Sequence, residues 1–88
     1  VLKMKKINAM VKVQEYDRKL ADLDKWMARD VEKMNKIEEE ISGTALTMTK
    51  KREAAKIHNQ LERGYRRMAK SYSKYTKKRK ALKRKFAI

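Results

Sequence analysis

Between residues 50 and 86, one set of side chains returns at alternating steps of four and three. It comprises Ala54, His58, Leu61, Tyr65, Met68, Tyr72, Tyr75, Arg79, Leu82 and Phe86, and only His58 and Arg79 are polar. That spacing is the a/d line of a heptad repeat. A chain that keeps it this long is committed to a helix packed lengthwise on a partner. Proline is absent and glycine occurs twice, so little interrupts helical backbone. No stretch alternates with the period of a strand, and no sheet is expected.

The first half of the chain supplies a second apolar line. It runs through Val13, Tyr16, Leu20, Leu23 and Met27, then Val31, Met34, Ile37 and Ile41. The step from Met27 to Val31 breaks the four-three alternation and reads as a stutter in the repeat. Trp26 falls beside the line, where it can cover its flank. Residues 1–14 carry four lysines and no acid and read as the opening turns of the same helix. They contain neither Arg nor Ser, unlike a mitochondrial leader.

The strongest break between the two lines is Ser42-Gly43-Thr44. Gly43 suits the left-handed position after a helix and Thr44 suits an N-cap. The expected fold is therefore all-α. It is a single hairpin over 1–88, with a first helix over about 3–41 and a second, antiparallel, over about 45–86; the alternative is one continuous helix through Gly43, at a cost of about 1 kcal/mol for that glycine. Folding about Gly43 sets residue i opposite roughly 87 minus i. Leu61 then meets Trp26, Met68 meets Leu20, Tyr72 meets Tyr16, Tyr75 meets Val13, and Leu82 meets Met4. The acids Glu15, Asp17, Asp22 and Asp24 fall alongside Arg63, Arg66, Arg67 and Lys70. Arg79 faces Asn8 without an acid. Glu38, Glu39 and Glu40 sit at the unfavourable end of the first helix dipole, where Lys50, Lys51 and Arg52 can offset them. The packing seam expected to hold the hairpin is Leu20, Leu23 and Met27 against Leu61, Tyr65, Met68, Tyr72, Tyr75 and Leu82. Ala55, Gly64, Ala69 and Ser71 flank it and let the helices approach closely. Two helices sharing one narrow seam bury little surface, so completion by other subunits or by a second copy is expected.

Charge divides the chain unequally. Net charge is +15. Residues 1–49 are nearly balanced, whereas residues 50–88 hold sixteen Lys and Arg against only Glu53 and Glu62. The cations are ordered. Lys56, Arg63, Lys70, Lys77 and Arg84 occupy every f position of the second helix, opposite the seam. Arg52, Arg66, Arg67, Lys74 and Lys80 adjoin them at b and c. A one-sided field of this strength calls for a polyanionic partner, beyond what a mixed solvated face would need.

Other chemistries find no residues to stand on. Cysteine is absent, which removes disulfides and thiolate metal sites and is weakly in keeping with an intracellular setting. The one histidine, His58, lies on the seam and reads as structural. No metal cluster, cofactor motif, phosphate loop or catalytic constellation is expected, and the chain reads as non-enzymatic with no small-molecule substrate. The tyrosines interleave with cations as in single-strand binding proteins, but their a/d placement assigns them to packing. The run Lys77-Lys78-Arg79-Lys80 with Lys83-Arg84-Lys85 resembles a nuclear-import signal, a pattern that arises readily in so basic a chain.

The expectation is a basic helical protein that binds nucleic-acid phosphates without strong sequence specificity, within a ribonucleoprotein or packaged-DNA assembly. RNA is slightly favoured over DNA. The alternative is a coiled-coil subunit that docks an acidic protein surface in a larger complex or filament. An anionic membrane is the weakest candidate, because the apolar line is too narrow for a lipid-facing stripe.

Overall fold

The computed structural model describes residues 2–88, with side chains from Met4 onward. Helix α1 spans Leu2–Ser42 and helix α2 spans Met48–Phe86, and they pack against each other as an antiparallel hairpin. Helices of 41 and 39 residues are each about 60 Å long, matching an overall extent of 66 × 15 × 14 Å. The expected all-α hairpin is the fold. The radius of gyration is 19.5 Å, where a compact chain of this length would have about 12 Å. The accessible surface is 7360 Å², against about 5,400 Å² for a compact protein of equal mass.

The core is correspondingly thin. Among the residues with described side chains, the three buried ones, Ala9, Tyr16 and Leu23, all belong to α1 and recur every seven positions. None of α2 is buried. All the expected seam residues of α2, from Ala54 to Phe86, are half-buried, as are Leu20 and Met27 across from them. Ala55, Gly64, Ala69 and Ser71 are half-buried too and line the contact as expected.

The expected stutter is absent. The next member of the buried series after Leu23 and Met27 is Asp30, which is half-buried, and Val31 is exposed. The heptad continues unbroken through Met34, Ile37 and Ile41, with an acid in one slot. Asp30 lies across from Gly64. A Cβ built on Gly64 would lie 3.8 Å from Asp30 Oδ2. That is ordinary contact distance, and the half-buried carboxylate keeps to the edge of the seam.

The turn lies later than expected. The Gly43 N–H donates to the Glu39 carbonyl at 3.0 Å, so the helical bonding of α1 runs through to Gly43. Gly43 has no positive φ, which removes the left-handed role expected of it. The N-cap is Thr47, not Thr44: its hydroxyl accepts from the Lys50 N–H at 3.3 Å. The cause is Leu46. Extended back from Ala54, the α2 heptad would set Leu46 on the outward c face. A non-helical 43–47 connection instead leaves Leu46 half-buried, which the hydrophobic effect favours.

The later turn moves the register. Tyr16 meets Tyr75, ring centroids 5.7 Å apart, rather than Tyr72. Val13 shares a groove with Lys83 and Ile88 instead of meeting Tyr75. Leu82 and Phe86 flank Ala9, while Met4 is exposed. Trp26 lies beside Ser71 and Tyr75, far from Leu61. The expected acid–base rows are displaced with it. Of those acids, Asp17 alone pairs across the hairpin, and its partner is the seam residue Arg79, whose Nε–H donates to Asp17 Oδ1. Among the described residues no ion pair links Glu38, Glu39 or Glu40 to Lys50, Lys51 or Arg52. Glu38 Oε1 instead lies 2.9 Å from His58 Nε2, a hydrogen bond that ties the turn end together.

At its far end α2 stops in order. Ala87 is left-handed, with φ 52° and ψ 49°, and the Lys83 carbonyl accepts from the Ile88 N–H at 3.1 Å. Lys83, Arg84 and Lys85 occupy the last turn, where cations favour the helix dipole.

Candidate nucleic-acid interface

The heptad that turns the apolar residues of α2 inward turns its cations outward by the same rotation. Arg52, Lys56, Arg63, Arg66, Arg67, Lys70, Lys74, Lys77, Lys80 and Arg84 are all exposed on the back of α2. The f row repeats every seven residues, about 10.5 Å along the axis. One of the ten is answered by a carboxylate: Arg66 Nη2 donates to Glu62 Oε1 at 2.7 Å, one helical turn away. Among the described residues the other nine make no ion pair. Arg79 is the exception within the basic segment, because the seam directs it to Asp17. At the turn end, Asn59 and Gln60 share a shallow depression with Lys56 and Arg63. Their amides add neutral donors and acceptors to the charged strip.

A second row of cations escaped the sequence reading. Lys5, Lys12 and Lys19 recur every seven residues on α1 and border the groove between the helices. Lys5, Lys12 and Lys85 line one cleft together. Lys12 lies 5.9 Å from the Tyr16 ring centroid and 3.9 Å from Glu15, and Lys19 lies 5.0 Å from the Tyr75 centroid. The positive surface therefore extends from the back of α2 around one flank onto α1. The signal was present as the interval of seven, but residues 1–49 are nearly neutral in total and the near-balance concealed it.

The seam side chains occupy the inner face, and the tyrosines are committed there. Tyr16 is buried against Tyr75, and Tyr65 and Tyr72 are half-buried. Trp26 is different: it is 50% exposed. Among the described residues no group of three His, Cys, Asp or Glu side chains is placed to hold a metal ion. No helix of the described residues is long and apolar enough to cross a membrane.

No protein-family model, curated protein sequence or solved structure matches this chain.

Proposed function

We propose that the hairpin is a non-enzymatic nucleic-acid-binding protein that lays the back of α2 along phosphate backbones, as a structural piece of a ribonucleoprotein or packaged-DNA assembly. One observation carries this reading: ten exposed cations share one helical face, and a single carboxylate pairs with one of them. Lys and Arg at repeated intervals on a rigid rod neutralise phosphates and release counterions, which drives binding with little dependence on base sequence. RNA is favoured slightly over DNA.

The test is binding of a labelled RNA and a labelled DNA duplex over a salt series. Affinity falls by orders of magnitude between about 50 and 200 mM salt if six or more phosphates are contacted. Replacing Lys56, Arg63, Lys70, Lys77 and Arg84 with Gln abolishes binding and leaves helicity intact. Unchanged binding by that variant rejects the reading.

A second reading is a coiled-coil subunit docking an acidic protein surface in a larger complex or filament. The thin core supports it, together with Met4, Ile7 and Val11, which are exposed on the face of α1 opposite the seam. Capture of a partner that survives nuclease treatment separates it from the first.

A further inference from the structure

Trp26 is the sole tryptophan, and the seam leaves half of it in solvent. It lies in a shallow groove between the helices with Lys19, Asp22, Leu23, Ser71 and Tyr75. Packing on the seam uses only the buried half of the indole, and the other half stays open to solvent. Its neighbours suggest a different use. Trp26 stands seven residues after Lys19 and continues the row of Lys5 and Lys12, so an aromatic ring takes the slot where the next cation would fall. Across the groove, Ser71 is followed at the same interval by Lys78. A strand whose phosphates follow these two lysine rows arrives at a flat apolar face.

We propose that the Trp26 groove is a stacking platform for one unpaired base of a single-stranded nucleic acid. The proposal rests on the nucleic-acid reading above and adds single-strand preference to it. Indole faces accept any base, because stacking needs a π surface and no particular hydrogen-bond pattern. Small Ser71 leaves the far wall of the groove low enough for a ring to enter. Asp22, the one acid in the groove, repels phosphate but can accept from the amino group of a base. The tyrosines are committed elsewhere: Tyr16 and Tyr75 pack against each other with centroids 5.7 Å apart, and Tyr65 and Tyr72 are half-buried on the seam.

Trp26 fluorescence reports directly on the groove. Three probes separate the outcomes: a 12-nucleotide oligocytidylate, a 12-base-pair RNA duplex and linear polyphosphate. The expected result is quenching of at least about twofold by the oligocytidylate. The duplex and the polyphosphate bind but leave the emission nearly unchanged. Trp26→Leu, checked for helicity by circular dichroism, weakens oligocytidylate binding about tenfold and polyphosphate binding not at all, and Trp26→Phe recovers part of the loss. Equal binding of all three probes with no selective quenching overturns the stacking site and leaves the phosphate strip standing. Failure of all three probes to bind overturns both. A blue shift of Trp26 with protein concentration alone, and no response to oligocytidylate, assigns the groove to a second copy of the chain and overturns the proposal.

Discussion

Asp30 Oδ2 lies 3.8 Å from the point a Cβ would occupy on Gly64, so an acid of α1 and a glycine of α2 meet at one layer of the seam. A Cβ at that separation makes ordinary van der Waals contact and meets no backbone. Gly64→Ala therefore gains the helix propensity of alanine without a steric cost, a stabilisation of roughly 0.5–1 kcal/mol. Asp30→Leu extends the series of Ala9, Tyr16 and Leu23 by one more apolar layer and also stabilises, by about 1 kcal/mol or more. Thermal melts of both variants check this, and a lower melting temperature for Gly64→Ala contradicts the described packing.

The position of the turn makes a second prediction. Thr47→Ala removes the side-chain acceptor for the Lys50 N–H and lowers stability by about 1 kcal/mol. Thr44→Ala, three residues earlier in the connection, changes it by less than about 0.5 kcal/mol. Equal effects of the two substitutions, measured by urea unfolding, would show that the second helix starts elsewhere.

Arg79 and Asp17 form an ion pair across the hairpin, 62 residues apart in sequence and at partly exposed positions. A double-mutant cycle with Arg79→Ala and Asp17→Ala gives a coupling of about 0.2–1 kcal/mol at low salt. The coupling fades toward 1 M salt, where screening reaches within a few ångströms. Zero coupling at low salt means the pair does not hold the register.

Lys5 and Lys85 line one cleft, although they lie near opposite ends of the sequence. Spin labels at the two positions report a separation of about 20 Å, as adjacent packed helices require. An uninterrupted helix through Gly43 would hold them about 120 Å apart.

The parts of this fold legible in the sequence are those set by periodicity. The seam from Ala54 to Phe86 and the outward cations follow from the interval of seven, and the hairpin follows from the break in it near Gly43. The parts that were not legible depend on one element meeting the other. Leu46 draws inward and moves the N-cap from Thr44 to Thr47, and the register moves with it, so that Tyr16 finds Tyr75. Asp30 was unreadable as a seam residue because an acid breaks the apolar pattern, and its half-buried place at the seam edge beside Gly64 exists only once the helices pair. The exposure of Trp26 likewise depends on the small Ser71 across the groove. The cations on the back of α2 needed no such information, because they face no other part of the chain.

The same interval governs the packing seam and the charged back. Deleting seven residues from each helix at facing positions would shorten the 66 Å rod by about 10.5 Å and leave every remaining layer in phase. Length can thus change in whole repeats without disturbing either surface.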